Sequence, residues 1–141
     1  MSTRANPVSA YKETSVRTAS GGKIIVMLYD EAIKQLDTAI SLLDSETREL
    51  DRVNNSILKA QDIITELMVS LDFEKGGEIA PKLFALYRFF NDQLMEANIQ
   101  KDAEPLRNIR GFLDDLRDAW AQILGKTQVQ GNAATGVNIA G

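Results

Sequence analysis

Two features of the sequence combine residue types that could do chemistry: a Gly-Lys pair and several close carboxylates. The pair lies in SGGK, residues 20–23, and glycine followed by lysine is the end of a phosphate-binding loop. Such a loop needs Gly-x-x-x-x-Gly-Lys-Ser/Thr after a buried strand, because successive backbone N–H groups must wrap the phosphates. Here Arg17 stands at the first glycine position, Ile24 replaces the hydroxyl residue, and no strand pattern precedes them. SGGK reads instead as a helix start with Ser20 as its N-cap. The carboxylates are Asp30-Glu31, Asp114-Asp115, and Asp72 with Glu74 in a turn. Neighbours on a helix point about 100° apart, so neither adjacent pair can face one substrate. They read as solvated charge. A di-iron bundle requires inward Glu-x-x-His pairs, yet the chain has no histidine and no cysteine. Thiolate and imidazole catalysis, Cys/His zinc sites and disulfides are excluded with them. No enzyme activity, metal or cofactor is expected.

The composition narrows the setting. A chain of 141 residues is most simply one domain, and folding at that size buries roughly 68% of the unfolded surface, so no staple is needed. The net charge is −4 with both signs interspersed, which provides no basic face for nucleic acid. No apolar run reaches the ~20 residues of a membrane span, and MSTRANPVSAYKET lacks the apolar core of a signal peptide. A soluble cytoplasmic protein with no membrane insertion is expected.

The apolar positions have helical spacing. In the first long segment they are Ile25, Leu28, Ala32, Leu36, Ala39 and Leu43; in the second, Val53, Ile57, Ala60, Ile64, Leu67 and Leu71. A third seam is Ile79, Leu83, Leu86, Phe90, Leu94 and Ala97, and a fourth is Leu106, Ile109, Leu113, Leu116, Trp120 and Ile123. Steps of three and four are the signature of amphipathic helices. In LDFEKGGEIAP, Gly76 and Gly77 suit a left-handed helix end, and Glu78 and Pro81 suit the next start. Asp102 suits the N-cap of the fourth helix, with Pro105 in its first turn. The fold class is therefore all-α, an antiparallel up-down four-helix bundle. Residues 20–124 form the bundle. Residues 1–19 form an N-terminal arm in which Asn6-Pro7 begins a short capping helix, and residues 125–141, with one charge and no stripe, read as a disordered tail.

An isolated bundle needs one apolar stripe per helix, and this chain has a surplus. Ile24 and Met27 accompany the first helix, Leu58, Ile63 and Met68 the second, Phe84 and Phe89 the third, and Phe112 the fourth. Together they predict an apolar groove on the outside of the bundle, suited to an amphipathic guest segment. Val8 and Tyr11, on the tethered arm, are placed to cover the groove when it is empty. A self-associating structural module is the competing reading of the same surplus.

The residues also resemble a known family, the FliS chaperones of bacterial flagellar export. The resemblance runs from about Ala10 to Ile123 and rests on AYKETSVRTASGGKIIVMLYDEAI, LDFEKGGEIA, LYRFFNDQLMEAN with Asp102-Ala103, and LRDAW. It implies an ATP-independent chaperone that binds the C-terminal, unfolded segment of flagellin. Such a chaperone prevents premature polymerisation and helps deliver the subunit to the membrane export gate. It also implies that an N-terminal aliphatic and tyrosine, here Val8 and Tyr11, lie over the groove and contribute to gate recognition. Many relatives have Asn-Pro-Tyr where this chain has Asn6-Pro7-Val8, and Ser-Pro where it has Ser20-Gly21. The expected partners are flagellin and the cytoplasmic domain of an export-gate membrane protein, with a weak homodimer as a further association.

Overall fold

A computed structural model describes residues 21–135, with side chains as far as Gly125. The short capping helix, Val8, Tyr11 and Ser20 lie outside the described residues. Four helices follow one another: α1 (Gly21–Asp44), α2 (Leu50–Val69), α3 (Ile79–Gln100) and α4 (Ala103–Thr135). Each packs against two others, α1 and α3 both lying between α2 and α4. Side-chain bonds fix the directions. Asp30, Asp37 and Asp44 of α1 meet Arg117, Arg110 and Arg107 of α4 at 2.7, 3.0 and 2.9 Å. Rising numbers pair with falling ones, so the two helices are antiparallel. Asn54 with Asn98 and Gln61 with Asn91 give the same result for α2 and α3. The bundle is up-down-up-down.

The seams follow the helical period closely. Leu28, Ala32, Leu36 and Ala39 of α1, Val53, Ile57, Ala60, Ile64 and Leu67 of α2, and Leu106, Ile109 and Leu113 of α4 are all buried. At the centre, Tyr29 of α1 and Tyr87 of α3 share a hydrogen bond between hydroxyls across the diagonal. Both tyrosines are buried, so each hydroxyl satisfies the other where water cannot reach. The α2–α3 seam carries a polar layer instead. Asn98 donates to Asn54 at 2.8 Å, Gln61 donates to the Asn91 carbonyl at 3.1 Å, and Asn91 donates to Thr65 at 3.2 Å.

The turns differ in part from expectation. α2 ends at Ser70 in ordinary right-handed conformation, without a glycine cap. The two glycines serve the entry to α3. Gly77 has φ +52°, and a Cβ on Gly76 would come within 2.7 Å of the Asp72 carbonyl oxygen and 2.9 Å of the Ala80 Cβ. The Asp72 carboxylate accepts the N–H groups of Glu74 and Lys75 at 3.0 and 2.9 Å, and these bonds hold it below the usual carboxylate range. Asp102 caps α4 as expected, accepting the Glu104 N–H at 3.0 Å. The fourth helix, however, does not stop at Leu124 but continues to Thr135. GKTQVQGNAAT contains no proline, and each of its two glycines, Gly125 and Gly131, costs a helix only about 1 kcal/mol relative to alanine. A missing apolar stripe removes a packing partner without ending the backbone ladder.

Candidate partner-binding surface

Three of the helical carboxylates that could have suggested catalysis have partners. Asp30 pairs with Arg117 at 2.7 Å, Glu31 accepts the Gln35 amide at 2.9 Å, and Asp114 lies 3.9 Å from Arg110. A shallow cleft of about 530 Å³ between α1 and α2 is lined by Asp30, Ile33, Lys34, Asp37, Thr38, Ser41, Leu42 and Arg52. Its lining is mixed, and two of its acids are tied to α4. The apolar surface lies on the opposite side of the bundle, around α3.

The residues expected to form the groove divide into three sets. Ile24 and Ile63 are corrections: at 6% and 1% exposure both belong to the core. Their burial follows from the reach of α1. Positions from Ile24 to Ile33 are buried around about half the circumference of that helix, at ~100° per residue, because α2 and α4 flank it closely. Ile63 of α2 belongs to the same buried cluster as Ile24. Met27, Met68 and Phe84 are half-buried; Met68 packs on the core, and Phe84 meets Phe73 with ring centroids 6.0 Å apart. Leu58, Phe89 and Phe112 are truly outward, at 46%, 48% and 49% exposure.

The outward residues gather along both flanks of α3. Toward α4, Phe89 contacts Phe90 at 6.3 Å between centroids, and Phe90 stacks on Phe112 at 5.9 Å. Phe90 is fully buried, so this aromatic row leads from core to surface. Ile79 and Leu86 lie one heptad apart on α3, as do Leu116 and Ile123 on α4, with Leu86 and Leu116 partly buried against the core. Ile79 and Ile123 were expected in the core seams, yet they are 60% and 56% exposed. Both sit at the end of the bundle where neighbouring helices run out. Toward α2, Met95 lies one turn from Asn91 and Ile99 follows Asn98, while Leu58 lies one turn from Asn54. Met95 and Ile99 are outward as well and were missed by the sequence reading. The signal was present in LMEANI, residues 94–99, where Met95 and Ile99 lie off the Leu94–Ala97 seam, and in LFALYRFF, where apolar residues surround the helix. A helix apolar nearly all round is normally covered on all sides.

The blocks that carry the resemblance meet one another in space. Tyr29 and Asp30 come from the first block, Tyr87 from LYRFF, and Arg117 and Trp120 from LRDAW. Tyr29 bonds Tyr87, and Asp30 pairs with Arg117. Burial is the main cause that pushes both tyrosine hydroxyls above their ordinary range; at Tyr29 the neighbouring Tyr87 adds to it and the Trp120 side chain partly opposes it. These residues fix the bundle's diagonal and its α1–α4 seam. They do not line the apolar strip.

Comparison with known proteins agrees with this geometry. Residues 4–127 match the family described as flagellar protein FliS. The flagellar secretion chaperone FliS of Bacillus subtilis (strain 168) is 31% identical over 132 residues, covering 94% of this chain and 96% of the relative. That of Salmonella typhimurium is 35% identical over 131 residues, covering 89% and 96%, and that of Vibrio cholerae is 32% identical over 120, covering 82% and 87%. With a matched region that includes all four helix starts and the turn between α2 and α3, the chain belongs to the FliS family.

Proposed function

We propose that this chain is a cytoplasmic secretion chaperone that holds the disordered C-terminal segment of flagellin, prevents its premature polymerisation and assists its delivery to the export gate. The observation that carries the reading is the apolar surface on both flanks of α3, which lies outside an already closed core. The names of the relatives support a secretion chaperone, and the family resemblance supports flagellin as the guest. Phe89, Phe112, Leu58, Met68 and Phe84 would receive the apolar side of the guest, with Met27 at the margin. Methionine and phenylalanine suit a surface that must adapt to a segment folding on contact. Ordering such a guest costs ~2–5 kcal/mol or more, which leaves the complex reversible enough for handover. No described helix is long and apolar enough to cross a membrane, in keeping with a chaperone that meets the gate from outside the bilayer.

Titrating the chain with a C-terminal flagellin peptide tests this reading. The expected result is a one-to-one complex with a gain of helical circular dichroism. A peptide that neither binds nor gains helix would end the proposal. Val8 and Tyr11 are assigned to cover the strip in the empty protein and to present the loaded complex to the gate. Tyr11→Ala should then keep or raise peptide affinity while lowering gate binding. A parallel fall in stability, peptide affinity and gate binding would instead make Tyr11 a packing residue.

A further inference from the structure

The chain has no cysteine and four methionines, so every sulfur in it is a thioether. Of the three in described residues, none belongs to the fully buried core: Met27 and Met68 are half-buried, and Met95 is 52% exposed. Met95 lies on the α2 side of α3. Asn98 donates to Asn54 across that seam at 2.8 Å; Met95 stands one turn before Asn98, and Leu58 one turn after Asn54. Because α2 and α3 run antiparallel, both steps lead the same way along the seam and bring Met95 level with Leu58, itself 46% exposed. Ile99 extends the flank at 71% exposure, whereas Leu94 beside Met95 is fully buried. The Met95 sulfur is thus open to small solutes, within an apolar patch, and carries no part of the core.

We propose that Met95 is an oxidative modification site, through which a peroxide turns off guest binding while the bundle stays folded. The sulfur attacks one oxygen of hydrogen peroxide. An S–O bond forms as the O–O bond breaks, and the second oxygen leaves as water with both protons. Sulfur gives up two electrons and the peroxide takes them. The product is a polar sulfoxide, which a methionine sulfoxide reductase can reverse. A guest that covers it must strip its oxygen of water without offering an apolar surface any compensation. An exposed thioether meets the oxidant more often than a half-buried one, so Met95 converts before Met27 and Met68. The loss of binding rests on the reading of the α3 flanks as the guest surface; the order of oxidation does not.

Graded hydrogen peroxide on the full chain tests this, each of the three methionines falling in its own tryptic peptide for mass spectrometry. At the dose that converts Met95, circular dichroism and the urea midpoint should stay unchanged. Affinity for the flagellin peptide, read by calorimetry, should fall about ten-fold, as expected for covering a polar group that finds no partner. Incubation with the reductase should restore it. Met95→Leu, judged against its own untreated affinity, should lose less than about two-fold, because leucine has no sulfur to oxidise. Conversion of Met27 or Met68 ahead of Met95 would overturn the site, whatever the peptide does. So would an affinity indifferent to full conversion of Met95, or an equal loss in Met95→Leu, which would place the damage at another side chain such as Trp120. An untreated chain that takes no peptide ends the flagellin reading instead, and the order of oxidation then still decides the site.

Discussion

At the scale of single residues, burial separates side chains that composition treats alike. Ile63 and Phe89 were both surplus to a one-stripe helix, but the first is 1% exposed and the second 48%. Ile63→Ala should therefore cost ~2–5 kcal/mol in denaturant unfolding, as expected for a truncation that leaves a cavity. Phe89→Ala should cost clearly less stability than Ile63→Ala and reduce peptide affinity, because about half of its surface stays in water until a guest covers it. The tyrosine pair makes a pH prediction. Both hydroxyls titrate above their ordinary value when folded, so above pH ~10 the unfolded chain releases protons that the native chain retains. Stability is full below that pH and falls as pH rises through it, by at most about 1.4 kcal/mol per unit for each tyrosine. A variant with phenylalanine at both positions should lose that part of the alkaline slope, read from urea unfolding at pH 8 to 11.

At the scale of elements, the sequence revealed the helices more fully than their surroundings. A three-four spacing dictates a helix and the middle of its buried face, and the seams of α1, α2 and α4 followed directly. It does not say how wide that face is. Width depends on how closely neighbours flank a helix, which is why Ile24 sank into the core of α1 while Phe112, on the narrowly buried α4, stayed outside. Ends were harder still. Ile79 and Ile123 obey the period, but nothing in the period records where a neighbour stops. Tyr87 was missed for another reason: its value lies in a partner 58 positions away. The end of α4 was misread because a lost stripe resembles a lost helix. That segment still has no apolar face with which to grip a guest. Truncation after Leu124 is expected to leave flagellin-peptide affinity within about three-fold, under ~0.7 kcal/mol, as read by calorimetric titration. A ten-fold loss would place the extension in the binding surface.

At the scale of the whole molecule, the four helices form a ring in which α1 is the most enclosed and α3 the least. The α1–α4 seam is laced by three Asp–Arg pairs, each about half exposed. Such pairs contribute little individually, but they specify which edge of the ring stays shut. α3 is tied through a polar layer to α2, an aromatic stack to α4, and one hydroxyl pair across the diagonal. Apolar area is thus concentrated on the least enclosed element. This distribution suits a protein whose core is finished before its partner arrives.

Gly22 lies so close to α4 that a Cβ there would stand 2.9 Å from the Leu124 Cδ1 atom. The place where the chain enters the bundle and the place where its packed part ends are therefore side by side. A ring of helices closed in this way has no inherent first member. Joining Gly21 to Leu124 by a few glycines and opening the chain at residues 45–49 would produce a circular permutant beginning with α2 and finishing with α1. All four packed seams would survive, including the three Asp–Arg pairs. Such a permutant should melt cooperatively, with helical content close to that of the parent's described helices. It should still bind the flagellin peptide, since α3 and α4 keep their order and their connection. The arm and the extension are absent from that chain, so it would also reveal which properties belong to the ring alone.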